Sequence, residues 1–97
     1  MVLFVFYDLP TETKEQRKEF ALFRKKILGS GFNYLQNSVY VKQGLDFTEI
    51  KKYSHRIKNI VPENGHVVVF HLTDSQFKNV EIYEERRQII NPISQYK

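Results

Sequence analysis

The amino-acid sequence predicts a single α+β domain whose strands and helices follow one another in the order βαββαβ. Two strand-like runs, at residues 2–8 and 66–72, are rich in β-branched and aromatic side chains. Between them lie two segments whose apolar residues recur at helical spacing. With 97 residues, the chain has room for one hydrophobic core.

The first helix has recognisable start and stop signals. Thr11 or Thr13 is expected to cap its N-terminus, with Glu15 or Gln16 as the partner in a capping box. The helix is expected to run to about Leu28 and to stop at the Gly-Ser-Gly sequence that follows.

The rest of the domain is predicted as two short strands, a second helix, a fourth strand and a late edge strand, at residues 32–37, 39–43, 46–61, 66–72 and 80–84. Residues 73–79 are expected to form a loop or a short helical turn. An antiparallel sheet with two helices on one face, joined by right-handed crossovers, is the ferredoxin-like sandwich. We assign this domain to residues 1–84 and a C-terminal tail to residues 85–97.

The first strand is apolar on both of its faces. Alternation places Leu3, Val5 and Tyr7 on one side and Phe4, Phe6 and Asp8 on the other. A sheet with one face in water should instead alternate apolar with polar residues. One face meets the helices, so the other face also needs cover. We expect a homodimer packed face to face about a twofold axis; the alternative is that the tail folds back over the sheet.

Composition excludes several classes of function. The chain has no cysteine, so disulfides, thiolate zinc sites and cysteine nucleophiles are ruled out. Its longest apolar run, residues 2–7, is too short to span a bilayer and does not have the form of a signal peptide. We therefore expect a cytoplasmic protein without a membrane partner.

The net charge of +4 permits binding to phosphate backbones without requiring it.

Positive charge is unevenly distributed around the first helix. On a helical wheel, five basic residues fall within one arc that contains no acidic residue: Lys14, Arg17, Lys18, Arg24 and Lys25. Glu15 and Glu19 lie on the opposite flank. This basic ridge, as we call those five residues, is typical of a surface that follows nucleic-acid phosphates. The alternative is an ordinary solvated helix face.

Asp8 is the most notable acidic residue, because it ends an apolar strand and is expected to be partly desolvated. One carboxylate is a poor magnesium site, but two copies meeting at a dimer axis would supply a pair for Mg²⁺. The alternative is structural, with Asp8 accepting hydrogen bonds from the turn at residues 9–13. The three histidines form no metal-binding motif, and neither Ser38 nor Ser75 has the context of a nucleophile.

Several segments together resemble a known family. They are Tyr7-Asp8-Leu9-Pro10 at the end of the first strand, Thr13-Lys14, Arg17-Lys18, Phe23-Arg24-Lys25, Gly31-Phe32 and Leu35-Gln36-Asn37-Ser38-Val39-Tyr40. This combination resembles the second core CRISPR-associated protein, the small subunit of the spacer-acquisition complex. The resemblance runs from the first strand to the fourth.

The resemblance implies a homodimer in which Asp8 is the metal-contacting, catalytic acid, paired with its symmetry mate around Mg²⁺. It implies that residues 80–84 pair with the partner's sheet and that residues 89–96 help to dock the CRISPR integrase subunit. This chain departs from the family in one respect: many members carry an arginine in the turn or first helical residues after the aspartate, whereas residues 11–16 contain none here and Arg17 is the nearest candidate.

The family is associated with two roles. One is a bridge that holds double-stranded DNA in the integrase complex, and the other is Mg²⁺-dependent cleavage of RNA or DNA. Members differ in whether they cleave, so the resemblance leaves open whether this chain is an enzyme.

Overall fold

The structure, a computed structural model, describes residues 1–84 and the backbone of residues 87–89. The helices and strands, in chain order, are β1 (Val2–Asp8), α1 (Lys14–Gly29), β2 (Asn33–Gln36), β3 (Val39–Lys42), α2 (Phe47–Lys58), β4 (His66–Leu72), α3 (Asp74–Lys78), β5 (Ile82–Glu84) and β6 (Arg87–Ile89). The predicted βαββαβ order is confirmed. The tail assigned to residues 85–97 lies outside the described residues, apart from that short stretch of backbone.

The main sheet has four antiparallel strands in the order β2-β3-β1-β4. β1 is a central strand, pairing with β3 on one side and along its whole length with β4 on the other. Side chains from α1 and α2 pack on the same face of β1, in one core cluster. This is the ferredoxin-like sandwich that the sequence predicts.

Reciprocal side-chain hydrogen bonds fix where both helices begin. Thr13 caps α1, with Gln16 completing the capping box, so Thr13 rather than Thr11 is the cap. Asp46 caps α2 in the same way with Glu49. α2 ends at Lys58, earlier than predicted. Asn59 follows as the C-cap, and its backbone N–H donates to the carbonyls of His55 and Ile57.

The boundary between β2 and β3, which the sequence left open, is a two-residue turn at Asn37 and Ser38. Ser38 adopts a φ of 64°, in the left-handed region. The pairing of β2 with β3 also shifts register between Tyr34 and Gln36. An Asn-Ser turn with an irregular register lacks the Asn-Gly signal by which hairpins are recognised in a sequence.

The larger core cluster fills the space between the sheet and the two long helices. Leu3, Val5 and Tyr7 of β1 pack there against Phe23 and Ile27 of α1. Ile50 and Ile57 complete it from α2, as helical spacing predicts.

The opposite face of the sheet, which we call the back face, is covered at one end by the chain itself. Phe77 of α3 is fully buried and packs edge-on against Phe4, with ring centroids 5.6 Å apart. Val80 packs against the same cluster, which also contains Val2 and Val41. The sequence predicted that a second copy or the tail would cover the back face, whereas α3 covers part of it.

The late edge strand is present but does not join the main sheet. β5 pairs with β6 in a separate two-stranded antiparallel sheet. The pairing of residues 80–84 with a partner's sheet, which the resemblance implies, remains a prediction.

We predict that Phe77→Ala lowers the free energy of unfolding by about 3–5 kcal/mol, because it empties a fully buried aromatic site on the back face. Urea denaturation measures the loss. The matched control is Phe47→Ala, since Phe47 is 66% exposed and its removal should cost roughly 0.5 kcal/mol or less. Equal losses in both variants would contradict the assignment of α3 as the cover of this face.

Candidate nucleic-acid interface

Asp8 ends β1 on the back face, and its side chain is exposed rather than partly desolvated as the sequence suggested. Its register partner on β4 is His66. Partners in an antiparallel pair point to the same side of the sheet, so the carboxylate and the imidazole are cross-strand neighbours. Spacing along the chain had given no reason to pair the two residues.

An open concavity of about 290 Å³ lies beside Asp8 and His66. Its wall is completed by Phe6, Ser38 and Val68, which come from three different strands or turns. The backbone of Tyr7 donates to the Ser38 carbonyl over 3.1 Å, which ties the β2–β3 turn to this end of β1. Asp8 thus stands at the edge of a largely apolar hollow that is open to solvent.

The turn after Asp8 is held by residues of α1. The Gln16 side-chain oxygen accepts from the backbone N–H groups of Glu12 at 2.9 Å and Thr13 at 3.0 Å. Those two donors are therefore not directed at Asp8. Within the described residues, the Asp8 carboxylate takes part in no hydrogen bond or ion pair with another side chain.

Arg17 stiffens the same turn. Its guanidinium donates to the carbonyls of Thr11 at 3.1 Å and Glu12 at 3.0 Å. An arginine placed one turn into the helix thus reaches back to the segment that follows Asp8. The family resemblance singled out Arg17 as the nearest arginine to Asp8 but did not indicate these contacts.

All five residues of the basic ridge are exposed on α1. At 100° per residue they span an arc of about 120°. Glu19 lies on the other flank, where it lines a groove together with Lys26 and Ile60. Among the side chains that the structure describes, no ridge residue lies within ion-pair distance of a carboxylate. The ridge therefore presents its charge to solvent, with the Arg17 guanidinium also hydrogen-bonded to the turn after Asp8.

An aromatic cluster joins the ridge helix to β1 directly beside Asp8. Tyr7 packs edge-on against Phe20 and Phe23 of α1, with centroids 5.7 and 5.0 Å apart, and stacks on Tyr40 at 5.8 Å. Burial raises the pKa of the Tyr7 phenol above its ordinary value, and the neighbouring Tyr40 hydroxyl adds to the shift. The phenol thus stays neutral, and the cluster fixes α1 relative to the end of the strand.

The described residues of a single chain do not form a metal-binding site. No group of three or more His, Cys, Asp or Glu side chains there could hold an ion. Asp8 offers one carboxylate, so a magnesium site at this position needs donors other than the described residues of one chain. None of the described helices is long and apolar enough to cross a membrane.

The fold and this interface define a small ferredoxin-like protein that presents a cationic helix and one strand-end carboxylate. Proteins that handle nucleic acids use surfaces of this kind. The chain belongs to the family described as CRISPR associated protein Cas2, whose family model matches residues 1–80. The resemblance found in the sequence is therefore confirmed.

Curated relatives and a solved structure agree with this membership. The chain is 37% identical over 87 residues to the CRISPR-associated endoribonuclease Cas2 of Flavobacterium psychrophilum, covering 90% of this chain and 76% of that protein. It is 36% identical over 93 residues to the protein of the same name from Treponema denticola, covering 94% and 92% of the two chains. The crystal structure of Streptococcus pyogenes Cas2 at pH 6.5 matches with a TM-score of 0.63 and 27% identity, over 87% of this chain and all of that one.

Proposed function

We propose that this chain is a CRISPR adaptation protein that acts as a homodimer and bridges double-stranded DNA in the spacer-acquisition complex. The basic ridge is the observation that carries the proposal. Five exposed cations lie on one flank of α1, and the two acidic residues of that helix lie on the other. Solvated helices usually mix their charges, whereas a separated cationic flank matches a line of backbone phosphates.

The back face supports the homodimer. Phe6, Val68 and Phe70 are 40%, 46% and 38% exposed, on adjacent positions of β1 and β4. Their rings and methyl groups form one patch, with the Phe6 and Phe70 centroids 5.3 Å apart. A contiguous apolar patch on a sheet is typical of an interaction surface. A second copy seated on this patch would bury it and give the assembly two ridges.

Family membership supports a role for this chain in a CRISPR system. The relatives carry CRISPR in their names, and the protein is proposed to act in the cytoplasm of a prokaryote. Its expected partners are the CRISPR integrase subunit and double-stranded DNA, with RNA as an alternative. Residues 89–96, at the end of the chain, are proposed to contribute to docking that subunit.

A second candidate function, metal-dependent cleavage of nucleic acid, is favoured by the exposed Asp8 beside an open hollow and by the relatives named as endoribonucleases. In the homodimer, one Asp8 from each copy would supply the two carboxylates of a Mg²⁺ site at a substrate phosphate. Mg²⁺ bound there supplies Lewis-acid activation of the phosphate and of water. His66, on the same face, would add a hydrogen-bonding group next to the substrate.

We predict that Val68→Glu converts the homodimer to a monomer, because it buries a charge in the apolar patch of the back face. Sedimentation equilibrium measures the change. The control is Leu22→Glu, which places the same charge on a half-exposed apolar position of α1. A wild-type chain that remains monomeric at high concentration would remove the dimer from the proposal.

We predict that changing Lys14, Lys18 and Lys25 to Glu weakens binding to duplex DNA and lowers the slope of log affinity against log salt by up to about 3, since each phosphate contact contributes about 0.9. Arg17 is left intact because it holds the turn after Asp8. The control changes Lys51, Lys58 and Lys78 to Glu, with the same change in net charge. If both triple variants behave alike, the ridge is not the contact surface.

We predict that Asp8→Asn abolishes any Mg²⁺-dependent cleavage while duplex binding and dimerisation stay within about twofold of wild type, because the exposed carboxylate supports neither the core nor the ridge. Gel assays with and without chelator measure cleavage. Glu12→Gln, a neighbouring exposed carboxylate, serves as the control. Cleavage that persists in Asp8→Asn or in chelator argues against the nuclease. Loss of spacer acquisition in a variant that still binds DNA argues against a purely bridging role.

A further inference from the structure

Three cations gather around a single aromatic ring, away from the ridge. Lys42 Nζ lies 5.0 Å from the centroid of Tyr53, Arg56 Cζ lies 5.0 Å from it and Lys52 Nζ 5.4 Å. All three fall within the reach of cation–π attraction. We refer to these four residues as the Tyr53 cluster.

The ring and one of the cations are held in place by their surroundings. The Tyr53 ring packs edge-on against Phe32, with centroids 6.1 Å apart and planes at 83°, and Phe32 is buried. Lys42 reaches the cluster from the end of β3 by passing over Gly31, whose carbonyl accepts from its Nζ at 3.5 Å. Gly31 has a φ of 87°, and a Cβ at that position would collide with the Lys42 Nζ. The positive φ favours glycine at this position, and a Cβ there would have to displace the flexible end of Lys42.

Nearby acidic side chains do not neutralise the cluster. Asp46 and Glu49, at the start of α2, accept hydrogen bonds from each other's backbone N–H groups in the capping box. Within the described side chains, none of the three cations lies within ion-pair distance of a carboxylate. Lys52 and Arg56 are also spaced i, i+4, where like charges destabilise a helix.

The cluster lies on a different surface from the ridge. The flank of α1 that carries Glu19 and Leu22 forms a groove with Ile60 and Pro62, which follow α2. α2 is therefore beside the flank of α1 opposite the ridge. A nucleic-acid segment lying on the ridge therefore follows the flank of α1 opposite to the one beside α2, the helix that carries Lys52, Tyr53 and Arg56.

We propose that the Tyr53 cluster is a second phosphate-binding site, which contacts a stretch of nucleic acid separate from the one held by the ridge. This inference rests on the proposed nucleic-acid function. A phosphate diester takes paired hydrogen bonds from a guanidinium and point charge from an ammonium, and the cluster holds one arginine and two lysines around a single ring. A bound phosphate supplies the negative charge that the cluster lacks. In the proposed homodimer, this site would add a second contact surface on each chain to the two ridges.

The first test changes Lys42, Lys52 and Arg56 to Gln in the full chain and measures binding to a 20-base-pair DNA duplex across a range of salt concentrations. The control changes Lys51, Lys58 and Lys78 to Gln and removes the same charge. The cluster variant is expected to lose about tenfold or more in affinity at low salt and up to about 3 in salt slope. The control is expected to change affinity less than about threefold. Equal behaviour of the two variants would overturn the site.

A second measurement reports on the site directly. The chain has no tryptophan, so Tyr53→Trp introduces a single fluorophore into the cluster. Duplex DNA is expected to quench its emission, while Tyr83→Trp, at a position 61% exposed elsewhere on the molecule, should not respond. If poly-glutamate at equal charge concentration gives the same quenching, the site recognises acidic polypeptides and the assignment to phosphate is overturned.

The outcomes separate this inference from the function on which it rests. If the ridge variants lose duplex binding while the cluster variant behaves like its control, the second site is wrong and the proposed function stands. If the cluster variant loses binding while the ridge variants do not, the second site stands and the ridge is not the contact surface. If the wild-type chain binds no duplex and Tyr53→Trp shows no quenching, both are overturned.

Discussion

The double-sided apolar character of β1 is the constraint on which the rest of this structure depends. β1 is a central strand of the sheet, with β3 and β4 hydrogen-bonded at its two edges. Neither of its faces can be left in water without exposing large apolar side chains, and their burial is the main driving force of folding. The two long helices cover one face, while the short helix α3 covers part of the other. What remains uncovered is limited to the half of the strand that ends at Asp8.

This constraint also positions the functional groups. Tyr7 is buried against α1 and Asp8 is the next residue, so packing on one face of β1 determines where the carboxylate stands on the other. The same packing turns the apolar stripe of α1 inward and leaves the ridge in solvent. Capping by Thr13 and the reach of Arg17 fix the short segment between strand and helix. The stability of the fold and the exposure of the ridge and of Asp8 therefore depend on the same few contacts between β1 and α1.

The sequence predicted the features that depend on local patterns. The order of strands and helices, the bounds of β1 and β4, the inward stripes of both long helices and the exposure of the ridge all follow from periodicity and capping. It did not predict features that depend on which strands become neighbours. His66 lies opposite Asp8 only through the register of β1 with β4, and the Tyr53 cluster needs β3 and α2 to meet near Gly31. Residues 73–80 contain two apolar side chains, Phe77 and Val80, which are too few for the sequence to show that α3 would cover the sheet.

The placement of α3 restricts how any second molecule can approach. Phe77 occupies the space over Val2 and Phe4, so a copy cannot centre itself on the sheet and must sit towards the opposite end. In the proposed homodimer, the symmetry axis then passes close to Phe6 and Val68 rather than through the middle of β1. A rotation axis in that position brings equivalent strand ends towards each other and carries the two α3 helices outward. The small helix would in that way act as a spacer that sets the geometry of the assembly.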